Sequence, residues 1–478
     1  MGVAPTPLRR GLGRLAAGVA LAGVVVLFAM AYRRAPVPVF GLAVVATALP
    51  AAAYIAWCAH PAALIGGGIA LSIFSGNWAN LGLPELVAPD RLLIFAAVVG
   101  VLLRSPAMRR HPALRLEPIH WLLIATVAYV LASAWVAGTF DKPSLLRLAD
   151  RVGAVPYLLF ALAPVVFAAR RHRSLLLGCL VAVGLYLSVT AVFEVAGLGA
   201  LVFPRYISNP ALGIHFGRAR GPFLEAVGNG TAIYIGLVAA VIASVTWRVR
   251  WQRTVAMGTA GLCVVALVLT LTRSIWIGAI VATTVTMLAH PGLRRWFLPV
   301  AAVTAIAVGA TIVFVPGLSD KVHARESQKG PIYDRLNLNR AAVNMLEARP
   351  LFGFGWNRFT AVGTDYFRQG DFPLTAGVGV GVHNAYLSHL AELGLVGTTL
   401  WVLSLVAALW LALRRRGPPE LEPWRYGLIA IATLNVVVAA FVYPYLFGVV
   451  VLWTWTGIVY GGQFLAPDAS PDALVSAR

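Results

Sequence analysis

Runs of apolar residues, separated by short polar stretches, recur along most of the chain, and about twenty such residues are what an α-helix needs to cross a bilayer. Read in order, they predict helices at 12–32, 37–57, 61–75, 91–104, 118–138, 151–169, 174–196, 229–246, 254–272, 274–289, 297–315, 383–413, 425–442 and 445–463. That is about 12–14 spans, because the runs at 61–75 and 91–104 are short and the last two could form one helix broken at Pro444. The expected fold class is therefore all-α: a polytopic transmembrane helix bundle with a long, partly helical loop on its outer (periplasmic or extracellular) side.

Composition strengthens this picture. Of 478 residues, 59% are hydrophobic and only 12% charged, and the mean hydropathy of +0.81 leaves too little polar surface to cover a water-soluble globule. A net charge of +20 would suggest a nucleic-acid partner in a soluble protein. Here the arginines gather in short segments between apolar runs, as membrane orientation requires, so no nucleic-acid partner is expected and the bilayer is. Cys58, Cys179 and Cys263 lie in or at the ends of apolar runs and read as small hydrophobes, not as disulfides or metal ligands. The first run follows Arg9 and Arg10 without a small-residue cleavage site, so it is expected to remain as a span and not be removed as a signal peptide.

The basic clusters orient the chain. They fall at Arg9, Arg10 and Arg14, at Arg104, Arg109, Arg110 and Arg115, at Arg170, Arg171 and Arg173, at Arg248, Arg250 and Arg253, at Arg294 and Arg295, and at Arg414, Arg415 and Arg416. With fourteen spans all of them are cytoplasmic, and so are both termini. Segments 76–90, 139–150, 197–228 and 316–382 then face outward. The last is too long for a plain connector. In it, "YDRLNLNRAAVNMLEARP" predicts an amphipathic helix with Asp334 in its first turn, an apolar face of Leu336, Val343 and Leu346, and Pro350 at its end. This helix would lie on the membrane or cap the bundle. The following "PLFGFGWNRF" puts Gly353, Gly355, Trp356 and Phe359 into a tight turn with aromatic rings at headgroup level.

Chemistry is therefore sought on the outer face, where several arginines break the positive-inside pattern. Arg273 in "LTLTRSIWIG" sits between two runs whose far ends are cytoplasmic, and either it binds an anion or it snorkels to the headgroups. Arg218 and Arg220 in "GRARGPF" are either anion ligands or ordinary loop charges. Arg335 is either a third ligand or part of a solvated face paired with Asp334 or Glu347.

The segment 383–397, "HNAYLSHLAELGLVG", begins with His383 and Asn384 at the water-facing end of an apolar helix and continues to Gly394 and Gly397. An imidazole with an ordinary pKa near 6.5 is suited to accept a proton there, although a histidine at a helix start can equally be a capping residue. His389 follows six residues later, about 600° around a helix, so the two do not form a metal pair at i, i+4. Glu392 falls on roughly the opposite face and reads as structural, and Gly394 and Gly397 read as close-packing positions.

Taken together, "RARGPF" at 218–223, "LTRS" at 271–274, "DRL" at 334–336, "PLFGFGWNRF" at 350–359 and the His383 segment resemble, in order and spacing, the motifs of the O-antigen ligase and Wzy-type O-antigen polymerase superfamily of bacterial membrane glycosyltransferases. The resemblance is concentrated at about 203–410 and is weak before 200. It implies a cell-envelope polysaccharide enzyme of the cytoplasmic (inner) membrane, with its active site outside. Its donor would be an undecaprenyl-pyrophosphate-linked glycan and its acceptor a glycan, lipid or other envelope molecule. His383 would be the general base, Arg220, Arg273, Arg335 and neighbouring Arg218 would hold the pyrophosphate, and Asn384, Trp356, Gly394 and Gly397 would support them, with no metal and no cofactor. Accordingly, 1–200 would be N-terminal transmembrane helices, 201–463 a ligase-like core containing the outer loop 316–382, and 464–478 a cytoplasmic tail. Two departures are visible: the spans outnumber the twelve usual in the ligases, and Glu225 stands after "GPF" where the family more often continues towards an asparagine, here Asn229. Ligase and polymerase share these residues, so the polymerase remains an alternative. A transporter or flippase of an anionic substrate would instead call for charges near the bilayer midplane and often for related halves, and no internal repeat is seen. A structural scaffold would leave Arg273 without a reason.

Overall fold

The computed structural model describes residues 59–83, 88–104, 112–314, 330–367, 381–415 and 417–465. Among them the regular structure is helical, with no strand. The longer helices are α1 (Pro61–Leu71), α2 (Pro89–Arg104), α3 (Pro118–Val136), α4 (Ala154–Val166), α5 (Arg170–Val195), α6 (Ala226–Thr246), α7 (Arg250–Leu269), α8 (Arg273–Ala289), α9 (Phe297–Phe314), α10 (Gly330–Ala348), α11 (Ala385–Arg414), α12 (Glu422–Ala439) and α13 (Leu446–Gly461). The predicted spans 12–32 and 37–57 lie outside the described residues; every other predicted span coincides with one of these helices. Seven are long and apolar enough to cross a membrane, whereas Pro61–Phe74, Arg273–Ala289 and Phe297–Ile306 are shorter apolar helices. The last two predicted spans are separate, α12 and α13, divided by a turn at 440–445.

Burial sorts these helices into a centre and a rim. α6 and α13 are buried along most of their length and form the centre. α5 packs on α6 through facing glycines, Gly184 and Gly236, where a Cβ on either would meet the other's backbone. α4 approaches α13 in the same way at Gly457. Without a hydrophobic drive in lipid, such small-residue crossings are what brings helices together. α3, α7 and α11 turn large apolar side chains outward, Trp135, Trp251 and Trp410 among them. α3, from the first 200 residues, joins α11, from the second part, through a Thr126–Ser404 hydroxyl pair at 2.8 Å.

The bundle has two chemically different ends. At one, Arg173 at the start of α5 pairs with Glu420 before α12, Arg415 after α11 lies 3.4 Å from Glu117, and Arg170 donates to the Thr246 carbonyl at the end of α6. Most of the basic clusters within the described residues converge there. At the other end lie the start of α6, the turn between α7 and α8, the start of α11 and the turn before α13.

α10 caps this second end. Its buried face is Leu338, Ala341, Ala342 and Met345, packed on Phe359, Val382 and Ala391, whereas Leu336 and Val343 of the expected apolar face are exposed. The small alanines that carry little apolar signal in sequence are what let the helix approach closely.

α11 is broken. Gly394 has φ 64° and ψ −169°, outside the helical region, although helical hydrogen bonding resumes after it. Such a break orphans backbone groups, which is costly where water is scarce. The turn 350–355 satisfies them: the N–H groups of Phe354 and Gly355 donate to the carbonyls of Ala391 and Glu392 at 3.0 and 2.8 Å. In return those of Leu395 and Val396 donate to the carbonyls of Pro350 and Leu351 at 2.8 and 3.1 Å. A Cβ at Gly394 would meet the Leu351 carbonyl. The two glycine motifs are thus one device.

Gly394→Ala is expected to cost on the order of 3 kcal/mol, through a strained positive φ plus a backbone clash. It should lower the thermal-unfolding midpoint in detergent. Gly258→Ala, at a position in α7 with open space beside it, should leave the midpoint unchanged or slightly raised.

Candidate functional site at the capped end

A loop before α6 builds one wall of the site. Arg220 in this loop is 1% exposed, and its guanidinium donates to the carbonyls of Ile207, Asn209 and Leu212 while lying 4.8 Å over the Phe216 ring. The structure therefore turns this arginine inward, where it ties the loop to itself. Gly221, at φ 52°, packs against the Asn229 side chain and donates its N–H to Glu194 at 2.9 Å. Asn229 donates to the Ala219 carbonyl at 3.0 Å, and Ala219 N–H donates to the Leu269 carbonyl at 3.1 Å. That last bond joins the loop to the turn that begins α8, whose first residue is the exposed Arg273.

Glu225 caps α6. One carboxylate oxygen accepts from Gly228 N–H at 2.7 Å, while the other lies 3.6 Å from His215 Nδ1. Burial pushes its carboxyl above the ordinary range, and the Gly228 N–H, the Tyr445 hydroxyl and the charge of Arg218 pull it back. Glu225 also attracts Arg335 on α10. One carboxylate thus holds Arg218, Arg335, His215 and Tyr445 in a single neighbourhood.

His383 sits across from it, one residue before the cap of α11. Asn384 provides that cap, its side-chain oxygen accepting from Tyr386 N–H at 3.0 Å and Leu387 N–H at 3.1 Å, as an asparagine at a helix start commonly does. His383 is half-buried. Desolvation and the neighbouring Arg335 hold its pKa below the ordinary 6.5, and Asp334 opposes them. The neutral ring, which accepts a proton, is therefore its state at pH 7.

The remaining candidates support this arrangement from behind. Trp356 is 2% exposed, with its indole N–H donating to the Ser144 carbonyl at 3.0 Å and its own carbonyl accepting from Thr139 at 2.7 Å. It is a buried anchor; Leu351 and Phe352 of the same turn are the exposed apolar residues. Gly397 lies against the Tyr129 ring, and Tyr129 OH donates to the Leu393 carbonyl at 2.9 Å. His389 is separated from His383 and lies among Trp401, Tyr443 and Trp356, at ring distances of 4.5, 5.6 and 6.0 Å.

The structure thus brings Arg335 and Arg218 to Glu225, with His383 beside Arg335, sets Arg273 at the same end of the bundle, and turns Arg220 away. His215, Glu225 and Tyr445 were not assigned roles from sequence. Glu225 had a visible signal, an acid placed just ahead of an apolar run as a helix cap would be; His215 and Tyr445 had none, since they reach Glu225 only through the folded loops.

Residues 258–402 match the family model described as O-antigen ligase. That stretch contains Arg273, Arg335, Trp356, His383, Asn384, Gly394 and Gly397, while Arg218 and Arg220 precede it. No match to a curated protein was found.

The electrostatics of His383 can be read directly by histidine-labelled NMR titration. Its midpoint should lie below 6.5. Arg335→Ala removes a cation that disfavours the imidazolium, so it should move the midpoint up; Asp334→Asn removes the opposing anion and should move it down.

Proposed function

We propose that this chain, whose residues 258–402 match the family model described as O-antigen ligase, transfers a glycan from an undecaprenyl-pyrophosphate carrier to an acceptor hydroxyl at the outer face of the inner membrane. The observation that carries this reading is the proximity of His383 to Arg335, inside the matched stretch, at the end of the bundle that also presents Arg218 and Arg273.

The chemistry follows from those groups. A neutral His383 takes the proton of the acceptor hydroxyl as its oxygen attacks the anomeric carbon. The bond from that carbon to the pyrophosphate oxygen breaks, and its electron pair leaves with the phosphate. Arg335, Arg218 and Arg273 hold the charge that develops there, as guanidinium groups do for phosphates at any physiological pH. Arg220 acts differently in this reading: its bonds to three loop carbonyls make it a positioning residue for Arg218 and Glu225. The gathering of basic groups at the opposite end supports an orientation with that end cytoplasmic and the site outside, both termini being cytoplasmic. Helices before 201 then act as a scaffold for the 201–463 core, against which they pack.

His383→Ala should lower transfer by about 10²–10⁴-fold, the range for loss of a general base, while the protein still inserts and unfolds at the wild-type temperature. Arg220→Ala should lose transfer and unfold at lower temperature. Mass spectrometry of carrier-linked and finished envelope glycans reads the outcome. Long glycans stranded on the carrier identify a ligase and single repeats a polymerase; unchanged pools in both fractions would end the transferase reading in favour of a transporter.

A further inference from the structure

Next to His383 along the chain is a feature that the charge cluster does not use. A small, partly open cleft lies between the turn after Trp356, the residues just before α11 and the first turns of α11. Arg147, Asn357, Thr360, Ser388, Glu392 and Tyr443 line it. One cation, one carboxylate, an amide and three hydroxyls give it donors and acceptors in alternation and no dominant sign of charge. Such a wall does not select a pyrophosphate. It suits a ring carrying several hydroxyls, each of which both donates and accepts.

The polar groups are fixed in advance. Asn357 is held at φ 61°; its amide donates to Ser144 Oγ at 2.7 Å, and its oxygen accepts from the Arg147 guanidinium. The Glu392 carboxylate accepts from Phe359 N–H at 3.0 Å. Side chains already held by their neighbours need little reordering when a ligand binds. The place is equally telling. Gly381 and Val382 line the cleft, and the next residue, His383, stands beside Arg335. The histidine therefore follows the cleft wall directly in the chain and has a cation as its neighbour.

We propose that this cleft is the acceptor subsite, holding the pyranose ring that bears the attacking hydroxyl. The proposal rests on the transferase reading and deepens it. Displacement at a carbon requires the nucleophile to arrive opposite the leaving group, so the proposal requires an acceptor in this cleft and the departing pyrophosphate to reach the anomeric carbon from opposite sides. The acceptor O–H gives its proton to the imidazole, the new bond forms from that oxygen to the anomeric carbon, and the pyrophosphate takes the electron pair of the broken bond.

The test uses the full chain in nanodiscs with carrier-linked glycan from the expressing cells as donor and octyl glycosides of glucose, galactose and N-acetylglucosamine as acceptor probes. Arg147→Met and the milder Thr360→Val are compared with wild type, their thermal midpoints reporting folding. The expected result is an apparent KM for the glycoside raised about tenfold, the size of one or two lost hydrogen bonds, with the donor KM within twofold of wild type. A raised donor KM with an unchanged acceptor KM would assign the cleft to the donor's own sugars and overturn the proposal. So would unchanged constants in folded variants, or a wild type that consumes donor yet glycosylates none of the probes. A wild type that consumes no donor under any condition removes the transferase reading itself.

Discussion

The backbone pairing between the turn 350–355 and the break in α11 is the constraint from which the site's geometry follows. Ala391, Glu392, Leu395 and Val396 each find a partner in that turn, so these backbone groups beside the interruption at Gly394 are paired within an apolar bundle. The pairing also fixes where the next residues go. Trp356 is anchored to the segment before α4 through Ser133, Thr139 and Ser144, and Phe359 carries α10 onto the start of α11. His383, Arg335 and the neighbouring cleft are held in common by one set of main-chain bonds.

Charge organisation at this end is economical in its parts. Glu225 is a helix cap, a counter-ion for Arg218 and Arg335 and a partner of His215. A lone arginine cluster beside a half-buried imidazole would repel the proton that the imidazole must accept in the proposed reaction. The carboxylate of Asp334 offsets part of that field at His383, while Glu225 acts on Arg335 itself. The result is a ring that is neutral at rest without being starved of proton affinity.

Helices were legible in the sequence because length and apolarity alone specify them, and the charge clusters predicted which ends lie together. What escaped the sequence was contact between distant segments. Gly394 reads as a packing glycine within a helical run, since nothing local announces that 350–355 will pair with it. The face of α10 was misassigned because Leu336, Val343 and Leu346 outweigh Ala341 and Ala342 in hydropathy, whereas the packing against Phe359 and Val382 favours the smaller residues. Arg220 carries the same charge as Arg218, yet only the folded loop reveals that its guanidinium is spent on carbonyl oxygens. The motif residues His383 and Arg335 were legible as a pair of types, and the fold supplies their adjacency.

The cap at Asn384 has a further effect, on rotational phase. Each residue added to the start of a helix turns what precedes it by about 100° and moves it by about 1.5 Å. By accepting from Tyr386 and Leu387, Asn384 stops α11 one residue short of His383 and so acts as an angular stop. Were the helix to grow by that single residue, the imidazole would swing about the helix axis away from Arg335, with no charge in the neighbourhood altered and no side chain removed.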